Sequence, residues 1–291
     1  ILPNSVEIIE ESAFENCTSL ANITISSSVT SIGSSAFYNC YSLKSINLPE
    51  SIESIGSYAF DRCRSLTEIT IPPHVTTIEE SLFRDCYSLT IANLPSSIIS
   101  IGSCAFKGCN NISQIVLPQT LKVIGSYAFS ECYSLSSISL PPSLETIDTS
   151  AFSGCSSLNN ISINSNLVLI ESYLFNNCGS LVHIELPCSI REIKQSAFEG
   201  CTSLEEIILP SMATSIPQSC FQSCTSLTKI EIPESVTIIE DCAFKGCSSL
   251  LEVRIPSTTK QIKSYAFDHC TSLSKICIPS SVVSIGSFAF H

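Results

Sequence analysis

The chain has 291 residues and a formal net charge of −12, from 26 acidic and 14 basic side chains. This acidic balance argues against nucleic acid or an anionic membrane surface as a partner, because both favour lysine and arginine. Hydrophobic residues make up 44% of the chain, enough for a large core. No run approaches the roughly 18 apolar residues of a membrane span, so we expect no membrane insertion within this segment.

A repeat of 23 residues runs from one end of the chain to the other. Phenylalanine recurs at this interval from Phe14 to Phe290, with no insertion or deletion. An isoleucine lies five residues before each of these phenylalanines, and a cysteine lies three residues after each wherever the chain continues. A leucine, replaced once by Ile112, lies six residues after. A fixed period in this range is the signature of a solenoid.

The repeat unit reads S-L-x-x-I-x-[LI]-P-x-S-[VIL]-x-x-I-x-x-x-A-F-x-x-C. The stretch L-x-x-I-x-L ends in strict alternation, which predicts a short strand with one face inward. A proline such as Pro49 or Pro118 then ends the strand in ten of the twelve complete turns. The segment that closes with Phe and Cys predicts short helical, 3₁₀ or irregular turns. We therefore expect about 12 coils, with a parallel sheet on one side and these turns on the other.

A single unit cannot fold alone. It buries about six apolar side chains worth roughly 1.5–3 kcal/mol each, whereas ordering its backbone costs roughly 1–2 kcal/mol per residue. Neighbouring coils must therefore cover its open faces. With no linker visible, residues 1–291 predict one solenoid domain. The chain begins inside a strand, "ILP", and stops one residue after a repeat phenylalanine, without a polar capping unit. We therefore expect an excerpt of a longer protein.

Residues 118–132, "PQTLKVIGSYAFSEC", and 279–290, "PSSVVSIGSFAF", carry the repeat most clearly. The unit resembles the BspA-type leucine-rich repeat, with its "LPxSVxxIGxxAFxxC" pattern, over the whole chain. The resemblance implies a curved solenoid that binds proteins and has no enzyme activity. It also implies a cell-surface or secreted protein of the kind that mucosal bacteria and parasitic protists use to bind host or extracellular-matrix proteins.

Two other functions stay open at this point. An intracellular scaffold for protein interactions, in the cytoplasm, fits the absence of a signal sequence and the many thiols, which persist best in reducing compartments. Glycan binding is the second, through the small neutral side chains on the first half of the sheet, such as Asn22, Ser45 and Thr70. That strip lacks the stacking aromatic residues expected of a glycan site.

No group of residues in the sequence predicts a catalytic, metal or cofactor site. The histidines His74, His183, His269 and His291 lie at different repeat phases, which predicts isolated solvent-exposed side chains rather than a catalytic or metal site. Glycines occur singly, with no phosphate-binding loop and no nucleophile elbow. We therefore expect no catalytic residue, no metal and no cofactor. The twelve repeat cysteines predict a ladder of small buried groups, with disulfide bonds between coils as the less favoured alternative.

Strand residues that point outward change in character along the chain. They are mostly small and neutral in the first half and charged in the second. We define the charged patch as these outward residues, our candidate protein-binding site: His183, Glu185, Glu205, Glu206, Lys229, Glu231, Glu252 and Arg254. Its acidic excess predicts docking of a basic protein, because complementary charge steers association. The alternative is ordinary solvated surface charge.

Overall fold

The computed structural model describes residues 1–163 and 167–291. Contacts group the chain into two compact units, Ile1–Cys155 and Ser156–His291. Within each unit the coils stack as predicted, and paired strands run in parallel with partners 23 residues apart. The structure thus confirms a solenoid of about 12 coils with a 23-residue period. That the whole chain forms one domain stays a prediction.

The described residues form 22 short strands. In chain order these are β1 (Ile8–Ile9), β2 (Asn22–Thr24), β3 (Ser31–Ile32), β4 (Ser45–Asn47), β5 (Ser54–Ile55), β6 (Glu68–Thr70), β7 (Thr77–Ile78), β8 (Ile91–Asn93), β9 (Ser100–Ile101), β10 (Val123–Ile124), β11 (Ser137–Leu140), β12 (Thr146–Ile147), β13 (Asn160–Ile163), β14 (Leu169–Ile170), β15 (Glu192–Ile193), β16 (Ser215–Ile216), β17 (Lys229–Glu231), β18 (Ile238–Ile239), β19 (Glu252–Arg254), β20 (Gln261–Ile262), β21 (Lys275–Cys277) and β22 (Ser284–Ile285).

The strands of three or four residues, which we call the first ladder, come from the predicted L-x-x-I-x-L segment. Their central residue is apolar and faces inward, whereas the residues on either side face solvent. Ile230 pairs with Val253, and Val253 pairs with Ile276 on the next strand. Because side chains alternate along a strand, this register holds every polar neighbour on the outer face.

The second ladder consists of the two-residue strands, and the sequence did not predict it. Each strand ends at the isoleucine five residues before the repeat phenylalanine, and Ile124 pairs with both Ile101 and Ile147. The prediction of helical or 3₁₀ turns is wrong, since the described residues contain no helix; only the irregular turns are found. β-Branched isoleucines stacked every 23 residues favour a pleated surface over a helix.

Backbone hydrogen bonds in the turns explain why no helix forms. The N–H groups bond alternately within a coil and to the next coil: Ser130 donates to the Tyr127 carbonyl at 3.0 Å, and Phe129 donates to the Ala151 carbonyl at 2.8 Å. This alternation needs left-handed backbone two residues before and two after each phenylalanine, with φ of 58° at Tyr127 and 62° at Glu131. A helix would turn both sets of donors back onto the same coil.

Phenylalanines form the axis of the core in each unit. Rings of neighbouring coils stack with centroids 5.1 to 5.7 Å apart, as between Phe37 and Phe60 at 5.3 Å. Both of these rings are fully buried. Parallel, laterally shifted stacking suits the ring quadrupole and adds to the energy of burial.

All repeat cysteines but Cys17 lie beside this stack as buried thiols. Cys132 donates its thiol hydrogen to the Phe106 carbonyl of the preceding coil, with 3.2 Å between sulfur and oxygen. Cys224 does the same to Phe198 at 3.2 Å. Burial raises the pKa of Cys132 to about 12, so this thiol stays protonated and unreactive at neutral pH. The prediction of small buried groups is thus confirmed for eleven of the twelve repeat cysteines and is wrong for Cys17, which is exposed on the first coil.

We expect Ile124→Asp to destabilise its unit by at least about 3 kcal/mol, since it removes a buried side chain and buries a carboxylate without a partner. Because solenoid coils are stabilised by their neighbours, local loss should broaden the thermal transition measured by circular dichroism. Thr146→Asp adds the same charge at an exposed position of the adjacent strand β12 and is the matched control. An unchanged melting curve for Ile124→Asp would refute the packing described above.

We expect thiol titration with Ellman's reagent to separate two populations of cysteine. In the native protein the exposed Cys17, Cys188 and Cys277 should react quickly, whereas buried ladder cysteines should not. After denaturation without reductant, the count should rise to near 17, the number of cysteines in the chain. A denatured count near five would instead mean that the ladder is bridged by disulfides.

Candidate functional site

All eight residues of the charged patch are exposed. Lys229 and Glu231 lie on β17, and Glu252 and Arg254 lie on β19, whereas the other four residues lie on the two preceding coils outside the strands of the first ladder. Strand pairing places Lys229 beside Glu252, and Glu252 beside Lys275 on the next coil. It also places Glu231 beside Arg254. These neighbours of opposite charge stabilise the parallel register of the strands.

Three contacts neutralise part of the patch. Lys229 Nζ lies 3.0 Å from Glu231 Oε1, and this hydrogen bond raises the pKa of Lys229. His183 Nε2 lies 3.7 Å from Glu185 Oε1. Arg254 Nη2 lies 3.1 Å from an oxygen of Glu234, outside the predicted set. Exposed pairs of this kind contribute little to stability, but they reduce the charge that a partner would meet.

Glu234 is the residue that the sequence reasoning missed. It follows Pro233, where the strand pattern ends, so its phase suggested a turn rather than the binding face. The structure brings its carboxylate back to Arg254 on the next coil and its second oxygen within 3.4 Å of Ser257. The sequence does contain a signal for this contact: Glu234 comes directly after Pro233, one coil before the outward-facing Arg254.

Glu205 and Glu206 carry exposed negative charge. Neither carboxylate forms an ion pair with a basic side chain of the described residues. Two residues after Glu206, Ile208 is 84% exposed and pairs with Glu231 through an isolated bridge. An apolar side chain so exposed at a bridged position marks a potential contact point.

Five residues of the patch and Ile208 line a groove of about 950 Å³ in the second unit. Its walls include Glu206, Ile208, Lys229, Glu252 and Arg254. The exposed thiol of Cys277 also lines it. The groove thus combines an acidic edge at Glu206, an exposed apolar side chain at Ile208 and the ion pairs of Lys229 and Arg254. This arrangement is suited to recognising a polypeptide surface.

The first unit presents a different surface. Its groove of about 360 Å³ is lined by neutral residues of 90–94 and 113–116. Ile91 and Val116 are the apolar members, 49% and 84% exposed. The expected neutral character of this half is therefore found, with aliphatic rather than aromatic side chains in the groove.

Two histidines predicted to be isolated lie together, so that prediction is wrong for them. His269 Nδ1 and His291 Nδ1 lie 2.7 Å and 3.1 Å from the same oxygen of Asp268, whose side chain is 2% exposed. Burial alone would raise the pKa of Asp268, but hydrogen bonds from Lys245 and both histidines lower it to about 2. Asp268 and His291 share a repeat phase, which is the signal that could have revealed the contact.

Comparisons with known proteins agree with the architecture. A leucine-rich repeat protein from Bacteroides ovatus is 31% identical over 92% of this chain and 83% of its own length, with a TM-score of 0.68. A leucine rich cell surface protein from Faecalibacterium prausnitzii is 31% identical over 94% of this chain and 77% of its own, with a TM-score of 0.61. A leucine-rich repeat protein from Eubacterium ventriosum, 23% identical over 97% and 79%, shares the fold with a TM-score of 0.58.

No curated protein is a detectable relative of the chain. Across the described residues, no helix is long and apolar enough to span a bilayer. The profile of the BspA type leucine rich repeat region matches residues 1–113, 99–226 and 214–291. The chain therefore belongs to the BspA-type leucine-rich-repeat family.

Proposed function

We propose that the chain is a protein-binding solenoid that acts in adhesion or recognition at the cell surface, and that its charged patch docks a basic protein. One observation carries this proposal: Glu206 and the exposed Ile208 line a groove of about 950 Å³, and neither Glu206 nor its exposed neighbour Glu205 forms an ion pair with a basic side chain of the described residues. A basic protein of the host surface or the extracellular matrix has the matching charge.

The two kinds of side chain have separate roles in this proposal. Glu205 and Glu206 attract a basic partner over a Debye length of about 8–10 Å and raise the association rate. Ile208 supplies apolar area that loses water on contact and slows dissociation. The pairs Lys229–Glu231 and Arg254–Glu234 border the acidic edge and favour a partner whose own charges match theirs.

Family membership supports binding rather than catalysis. BspA-type repeats and leucine-rich solenoids typically present surfaces to partners, and we extend that to the absence of enzyme activity here. The relative from Faecalibacterium prausnitzii is described as a cell surface protein, which favours the surface over the cytoplasm for this chain. A cytoplasmic scaffold is the competing location.

Reversing acidic charge of the patch is the direct test of the docking surface. We expect the triple variant Glu205→Lys, Glu206→Lys, Glu231→Lys to bind immobilised collagen, a basic matrix protein, at least about tenfold more weakly than the unaltered chain. Binding of the unaltered chain should also weaken as salt rises, because salt screens exposed charges. Surface plasmon resonance would measure both effects.

The matched control makes the same change in net charge elsewhere. Glu7, Glu10 and Glu53 are exposed acidic residues of the first unit and lie next to strands of the second ladder. Their replacement by lysine should weaken binding much less than the patch variant. Equal losses in the two triple variants would show a general charge effect, and an unaffected patch variant would place the binding surface elsewhere.

Staining of intact source cells tests the location. We expect an antibody raised against residues 1–291 to label cells that have not been permeabilised, because an adhesion surface must face outward. Antibody against a known cytoplasmic protein should label only permeabilised cells and reports on membrane integrity. Labelling by the solenoid antibody that also requires permeabilisation would favour the intracellular scaffold.

A further inference from the structure

The cluster around Asp268 has a chemistry that the docking surface does not use. Its carboxylate is almost fully buried, whereas the imidazoles of His269 and His291 are 63% and 64% exposed. One carboxylate oxygen and two imidazole nitrogens lie within 4.8 Å of one another. The set therefore combines two nitrogens on solvent-exposed rings with one buried carboxylate oxygen, a ligand combination common at zinc sites that keep an open position.

We propose that Asp268, His269 and His291 form a binding site for a divalent transition-metal cation, of which Zn²⁺ fits the ligands best. Imidazole and carboxylate are the ligands that zinc accepts alongside thiolate. Three protein ligands leave a fourth position of the tetrahedron for water. The site is independent of the docking surface proposed above.

The fold itself brings the ligands together. His269 N donates a 2.8 Å hydrogen bond to the His291 carbonyl, one of the bonds that join every turn to the next coil. His269 has left-handed backbone, with φ of 59°, as does its counterpart in every complete coil. The two imidazoles are thus placed by backbone contacts that exist without a metal, so little ordering is needed on binding.

The atomic distances suit a small cation. Zinc lies about 2.0–2.2 Å from nitrogen and oxygen ligands, so two ligand atoms of one tetrahedral ion lie roughly 3.3–3.5 Å apart. The present separations from Asp268 Oδ1 are 2.7 Å to His269 and 3.1 Å to His291. Reaching the zinc geometry opens the first by about 0.6–0.8 Å and the second by about 0.2–0.4 Å. Rotation of the exposed rings provides this opening.

Lys245 fixes the carboxylate without occupying the ligand oxygen. Its Nζ lies 3.0 Å from Asp268 Oδ2 and 4.9 Å from the ring centroid of Tyr265. Oδ1 is therefore the oxygen that faces the imidazoles. A second contact that orients a ligating carboxylate in this way is typical of metal sites.

The first unit contains a counterpart that lacks the metal ligands. Asp61 occupies the same repeat phase as Asp268 and is also fully buried. Its partner on the following coil is Arg84, with Nη2 2.6 Å from Asp61 Oδ2, a permanent cation in the place that His291 takes beside Asp268. The buried charge at Asp61 is thus already matched by arginine. Beside Asp268, His291 takes the position of Arg84. His269 takes that of Arg62, and both imidazoles can bind a metal.

Calorimetric titration of the full chain with Zn²⁺ tests the site. Exposed thiols are first alkylated with iodoacetamide, because Cys17, Cys188 and Cys277 would otherwise bind zinc. We expect saturable binding of one Zn²⁺ by the unaltered chain. His269→Ala and His291→Gln should each weaken it at least tenfold.

His183→Ala is the matched control, because His183 is exposed and lies beside Glu185 but has no third ligand. It should leave the affinity unchanged. Melting curves in EDTA should coincide for all variants, which shows that the losses are not due to unfolding. In addition, Co²⁺ should develop visible d–d absorption with the unaltered chain and lose it with His291→Gln.

Two results would overturn the proposal. One is the absence of saturable Zn²⁺ binding by the alkylated, folded chain, which would make the cluster an ion-pair network like that of Asp61. The other is equal affinity in the unaltered chain and in both histidine variants, which would place any bound zinc elsewhere.

Discussion

The structure depends on the backbone hydrogen bond that joins each turn to the next coil. Phe129 and the residues two before and two after it donate to carbonyls 22 positions ahead, while the N–H groups between them bond within the coil. These backbone donors of the turn are thereby satisfied without a helix or a long strand. Phenylalanine stacking, the thiol contacts and both ladders all follow from the spacing that these bonds impose.

Much of this fold could be predicted from one repeat unit. Strict alternation in L-x-x-I-x-L identified the first ladder, and invariance of phenylalanine and cysteine identified the core. The second ladder escaped because each strand is two residues long, too short for alternation to show. The two left-handed positions of each coil were also not predicted. Only four coils have glycine at the one that follows the phenylalanine, as at Gly108, and residues such as Tyr127 occupy the one that precedes it.

The exposure of a site residue could be predicted where its place in the 23-residue unit decides whether its side chain faces solvent. For the patch residues on β17 and β19, strand alternation decides which side chains face outward. Glu205 and Glu206 are consecutive and both exposed, so their exposure follows from the repeat phase rather than from alternation. Contacts between patch residues depend on how long side chains reach across coils, and so Glu234 was missed. The histidine cluster had a clear phase signal in Asp268 and His291, but the position of His269 beside them depends on left-handed backbone that the sequence does not display.

Uniform spacing has a consequence for how the chain finds its register. Since each coil offers its neighbour nearly the same backbone partners and core side chains, a slip of one whole coil would lose little core packing. The outward-facing side chains, in contrast, differ from coil to coil. Lys229 lies beside Glu252, and a slip that skipped the coil of Glu252 would place Lys229 beside Lys275. Like charges directly opposite one another are unfavourable. The surface charges of the second unit therefore favour the correct pairing of coils whose backbone and core side chains are nearly the same.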